Sequence, residues 1–172
     1  MSERDLLFVK YDLRGTIDNI NSEISREING YDSDYFLAVK LDEICDHLVD
    51  KHTFETPKIF PDQVEMVDQG ETHSPSEQFG RRVNLNANYY VFAIPFTGDG
   101  NLFHFRASTF SSSAPFGVVN GSELHLKFVR TDHNGETIKR DLDREIQEIS
   151  KHLSWIERDV DEFHSNLRHS CL

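Results

Sequence analysis

Toward the end of the chain, apolar residues recur with a period that fits one element. Leu142, Ile146, Ile149, Leu153, Ile156, Val160, Phe163 and Leu167 alternate spacings of four and three. That is the period of one face of an α-helix. With Ile146, Leu153, Val160 and Leu167 at heptad position a, the other four fall at d, giving about four heptads. The spacing predicts a long amphipathic helix over 136–169. Glu136 and Asp141 near its start and Arg168 and His169 near its end suit the helix dipole.

The first 53 residues also read as helical. Leu6, Val9, Leu13, Ile17, Ile20, Ile24 and Ile28 form a stripe at helical spacing, interrupted by Gly15. A strand over Leu6–Tyr11 followed by a helix capped by Thr16 competes with one long helix. Asn29-Gly30 ends either version. Asp32 or Ser33 then caps a second helix carrying Phe36, Val39, Ile44, Leu48 and Val49 on one face, and a helical hairpin is expected.

The middle changes period. Tyr90, Phe92, Ile94 and Phe96 alternate, as do Leu124, Leu126 and Phe128. Alternation marks strands with one buried face. A hairpin of Asn88–Thr97 with Asn101–Ser108 is expected around Gly98-Asp99-Gly100. It puts Phe103 and Phe105 on one face, and Leu102, His104 and Arg106 on the other. Residues 54–88, punctuated by Pro57, Pro61, Gly70, Pro75 and Gly80, read as a loop-rich connector. It would hold one short strand at Gln63–Val67 and a mobile stretch at Gly70–Glu77. The fold class predicted is α+β in one domain over 1–172: helical hairpin (1–53), connector (54–88), antiparallel sheet of three to five strands (89–130) and long C-terminal helix.

Charge divides the chain the same way. The net charge is −12. Residues 1–70 contribute −9, 71–130 contribute +1 and 131–172 contribute −4. Phosphate backbones and anionic membranes repel such a chain, so nucleic acid is disfavoured except through 71–130. No apolar run reaches the ~20 residues of a membrane span, and the charged start lacks a signal-peptide core. Cys45 and Cys171 make no disulfide framework, which points to the cytoplasm.

Candidate chemistry is sparse. There is no Walker loop, no Gly-x-Gly-x-x-Gly after a strand, no Gly-x-Ser-x-Gly and no His-Glu-x-x-His. Asp46, His47, Asp50 and His52 cluster on the second helix, but helical geometry spreads their directions. No metal or cofactor is expected. The middle segment is the best place for a small anion. Arg81, Arg82 and Arg106 concentrate positive charge there, Ser111, Ser112 and Ser113 offer hydroxyls, and His104, His125 and Glu123 meet if their strands pair.

These features favour a non-catalytic interaction or assembly module, a subunit or accessory protein that binds a protein partner or itself. The C-terminal stripe and the acidic surface would make the contact. The heptad flanks Asp143, Ser150, Glu157 and His164 (e) and Glu145, His152, Asp159 and Asn166 (g) carry no Lys or Arg. A parallel homodimer would therefore set acid against acid, relieved when His152 and His164 protonate below about pH 6.5. The alternatives are that the stripe packs on its own domain, that the β-segment binds or hydrolyses nucleotides or nucleic-acid ends, and that the acids mimic nucleic acid.

Overall fold

The computed structural model describes residues 5–170, with the backbone alone for 36–38 and 170. Phe36 as a side chain and Cys171 lie outside the described residues. In chain order the elements are β1 (Tyr11–Asp12), α1 (Leu13–Gly30), α2 (Ser33–Ala38), α3 (Leu41–His52), β2 (Lys58–Ile59), β3 (Glu65–Gln78), β4 (Arg81–Thr97), β5 (Phe105–Arg106), β6 (Val118–Asn120), β7 (Glu123–Arg130) and α4 (Gly135–Ser170). The α+β class and the long closing helix stand as expected.

The main sheet runs β2-β4-β7-β6, with β3 on the same edge of β4 as β2. Between β2 and β3 the chain makes a 3-10 turn over Pro61–Gln63. Proline fits a first helical position, where its missing N–H is not needed. β7 buries Leu124, Leu126 and Phe128 while Glu123 and His125 point away, as alternation requires.

α4 lies across this sheet. Leu142, Ile146, Ile149, Leu153, Ile156 and Val160 enter one core with Ile94, Phe96, Leu124 and Leu126. Its last turns leave the sheet, and Phe163 and Leu167 close a second core with Ile24 of α1 and Ile44 and Leu48 of α3. One helix thus caps two layers, which is why it needs 36 residues. Asp141, buried, pairs with Arg130 at the end of β7 and with Arg144, and ties the start of the helix to the sheet.

Several expectations fail for local reasons. Leu6 and Val9 are exposed while Leu7 and Phe8 are buried, so the first stripe is not continuous helix. Residues 5–8 are irregular instead, with Phe8 at a φ of 59°: Leu7 N–H donates to the Pro115 carbonyl and Phe8 N–H to the Phe103 carbonyl. Helix α1 begins at Leu13 after Asp12, and Thr16 is not its cap but donates back to the Asp12 carbonyl. Asp32 does cap, accepting from Tyr35 N–H at 2.8 Å. The helix it starts stops at Ala38, and extended Val39 and Lys40 separate it from α3.

The largest correction is in the middle. Residues 54–88 are not a loop-rich connector, and Gly70–Glu77 is strand rather than a mobile stretch. β3 pairs with β4 along nearly its whole length, from Glu65↔Ala93 to Gln78↔Arg81, with a bulge at Val67. The expected hairpin of 88–97 with 101–108 does not form. Residues Gly100–His104 make a 3-10 helix in which adjacent Leu102 and Phe103 are both buried, rather than on opposite faces as the hairpin would have set them. Gly98 does have positive φ, but for a different reason. A Cβ there would sit 2.7 Å from the Thr56 carbonyl oxygen, so the chain needs glycine to pass that backbone.

Candidate interaction site

The eight residues expected to bind a partner are all buried inside this chain, none more than 8% exposed. The seam is therefore not an intermolecular surface. Heptad spacing reports only that one side of the helix is covered. Here the sheet and α1–α3 cover it. The imidazoles flanking it point inward too. His152 stacks on Phe8 at 5.0 Å and meets Trp155 edge-on, and burial lowers its pKa. His164 Nε2 accepts from Phe54 N–H at 3.1 Å, and burial lowers its pKa as well. Both are arranged to stay neutral rather than to relieve acid–acid contacts in a dimer.

The expected anion site is not assembled either. Arg81 and Arg82 stand at the far end of β4, 13 or 14 residues from Pro95, which pairs with Glu123. At ~3.3 Å per residue that is about 45 Å. Arg106 lies on β5 with its guanidinium 4.8 Å from the Phe110 ring centre. His104 is in the 3-10 helix, its carbonyl accepting from Lys10 N–H. Ser111 Oγ donates to the Ser113 carbonyl, which ties the hydroxyl loop to itself, while Ser112 is exposed. His125 and Glu123 do meet, at 3.0 Å, on the outer face of the sheet. They flank a cleft of about 370 Å³ lined by Gln63, Glu65, Ala93, Pro95 and Glu123. That lining holds two carboxylates and no cation, so it does not suit an anionic ligand. Among the described residues no group of three or more His, Cys, Asp or Glu is placed to hold a metal ion, Asp46, His47, Asp50 and His52 included.

A short-range contact absent from the sequence reading joins Ser108 to Asp159. The carboxylate accepts from both the N–H and the Oγ of Ser108, each at 2.6 Å. Arg158 donates to Thr109 one residue on. Donors run both ways, from Ser108 to α4 and from Arg158 back to the loop, and together they clamp residues 108 and 109 onto the helix.

The feature that stands apart is the β3–β4 ribbon. β7 stops pairing with β4 at Asn88↔Arg130. Beyond that point residues 81–87 of β4 pair with β3 alone. Those seven residues extend the ribbon about 23 Å. Its two faces differ. Thr72, Ser74 and Ser76 lie across from Ala87, Leu85 and Val83 on one face, and His73, Pro75 and Glu77 across from Asn86, Asn84 and Arg82 on the other.

Phe79 and Gly80 turn the ribbon with φ of 51° and 75°. Two consecutive positive values are the mark of a type I′ hairpin, a turn built for Asn-Gly. Phenylalanine in that left-handed position costs roughly 1–2 kcal/mol. Its ring recovers none of this by burial, since it is 105% exposed. Neither the turn nor the core therefore accounts for a phenylalanine at this position. Sequence patterning missed the ribbon because the half-buried face of β3 is made of Thr72, Ser74 and Ser76, so the alternation of burial is not written as apolar against polar. The signal available was the Phe-Gly pair between Gln78 and Arg81.

No family model, curated protein or solved structure matches this chain. Among the described residues no helix is long and apolar enough to cross a membrane.

Proposed function

We propose that this chain is a non-catalytic protein-interaction module, a subunit or accessory protein of a larger assembly, and that it reaches its partner with the β3–β4 ribbon rather than with α4. The observation that carries this reading is the fully exposed Phe79 at the end of a ribbon that has no third strand among the described residues. Two strands alone are marginally stable in water, and a partner would complete them. An exposed aromatic beside Arg81 and Arg82 combines the residue types that dominate interface energetics. The charge of the rest of the chain supports a protein partner over a phosphate backbone. The reading places the module in the cytoplasm, where two cysteines need no pairing.

The test is photo-cross-linking in the native cell. One chain carries p-benzoylphenylalanine in place of Phe79, and a control carries it in place of exposed Glu157 on α4. The expected result is a defined protein adduct from position 79, lost when Arg81 and Arg82 are both replaced by glutamate in a chain whose circular dichroism shows the core intact. Adducts from position 157 alone, or from neither position, overturn the proposal.

A further inference from the structure

The two strands of the ribbon differ in composition. Beyond Asn88 on β4, β3 contributes Glu71, Pro75 and Glu77, the proline and charges that proteins place on edges to block further pairing. β4 contributes Arg81, Arg82, Val83, Asn84, Leu85, Asn86 and Ala87, with no proline and no acid. It lacks the proline and the acids of β3, and past Asn88 its second edge has no partner among the described residues. Toward the sheet, the same edge is filled by β7, which ends at Arg130. The open edge is therefore a slot seven residues long in line with β7.

From these features we infer that the slot is filled by β4 of a second copy of this chain, antiparallel and two-fold symmetric about Asn84. The inference rests on reading the ribbon as the interaction surface. Centred on Asn84, the seven-residue edge meets an edge of the same length, and odd residues fall opposite odd, so both faces stay in phase. Val83 lies opposite Leu85 of the other copy and Leu85 opposite Val83. This gathers the apolar strip of both ribbons onto the two central strands of a four-stranded sheet. Arg81 lies opposite Ala87 and Arg82 opposite Asn86, so no arginine faces an arginine across the axis. A strand so composed is self-complementary, as a two-fold interface must be. The outer strands of the joined sheet are the two copies of β3, with Pro75 and the glutamates facing solvent, so pairing stops at two copies. Seven residues a side is well below the 20–30 of a standard stable interface, so association will be concentration-dependent.

The test uses the full chain with Cys45 and Cys171 replaced by serine. Sedimentation equilibrium is expected to show a monomer–dimer equilibrium shifted toward monomer in Leu85→Lys, with circular dichroism unchanged. Under mild oxidation Asn84→Cys is expected to form a disulfide dimer, since the two copies of residue 84 sit directly opposite. Asn86→Cys will not, because two-fold pairing separates the copies of residue 86 by about 13 Å. A monomer at every concentration, or cross-linking at 86 in preference to 84, overturns the inference. If position 79 still gives an adduct with a different protein, the ribbon remains the interaction surface and only its occupant changes. If that adduct is also absent, the broader reading fails as well.

Discussion

Replacing Phe79 by asparagine tests whether the tip of the ribbon is held against its own conformational preference. The backbone there has φ of 51° and is followed by Gly80 at 75°. An L-residue with a large side chain gives up roughly 1–2 kcal/mol to sit in that region, and asparagine gives up less because its short amide bonds locally. The ring touches solvent on all sides, so no burial is lost with it. Phe79→Asn is therefore expected to stabilise closure of the ribbon by about 1 kcal/mol, which at room temperature is about a fivefold shift in the open–closed ratio. Amide hydrogen exchange is the assay, because opening of the ribbon need not involve the core. The amides of Ser74, Ser76, Val83 and Leu85, which face across the ribbon, are expected to exchange about fivefold more slowly, with those of β7 unchanged. Unchanged or faster exchange would refute the reasoning, since it would mean that the phenyl ring supports the turn. The same variant is expected to lose its partner contact, so gain in local stability and loss of binding occur together.

Other outcomes follow from the core and the helix contacts. Ile149→Ala and Ile156→Ala, both at positions with no exposure, are expected to cost about 2–5 kcal/mol each in denaturant unfolding. A cost under ~1 kcal/mol would mean that α4 does not pack as described. Asp159→Ala strips the acceptor from Ser108 N–H and Oγ and is expected to cost about 1–3 kcal/mol, read by thermal unfolding, while Asp161→Ala on the exposed side of α4 is neutral. His152 and His164 both have native pKa values below the usual 6.5, chiefly through burial, so the unfolded chain binds protons more readily than the native one. Their contribution to stability is complete above about pH 6.5 and is lost as pH falls from there through the lowered native values, at no more than ~1.4 kcal/mol per pH unit for each imidazole. The double variant His152→Phe with His164→Gln is expected to flatten that slope in urea titrations between pH 5 and 7. An unaltered slope would place the pH dependence elsewhere.

The sequence by itself determined the elements that have one covered side. In α4 and β7 a single boundary between core and solvent runs the length of the element, so Leu142 to Leu167 mark it every three or four residues and Leu124 to Phe128 every two. It also narrowed the cap of the second helix to Asp32 or Ser33, a local property of the backbone, whereas the need for glycine at position 98 comes from the passing Thr56 carbonyl and is tertiary. What covers an apolar face is not local. The seam of α4 has the same spacing whether it meets a second helix or this chain's sheet. Only the tertiary structure set Ile94, Phe96, Leu124 and Leu126 against its first turns and Ile24 and Leu48 against its last. The same packing turned His152 and His164 inward and made them neutral groups instead of switches. In the ribbon the difficulty was the reverse. Burial alternates along residues 71–87, but the half-buried positions of β3 are Thr72, Ser74 and Ser76, so no apolar pattern marked the strand, and its pairing became visible only through the register of β3 on β4.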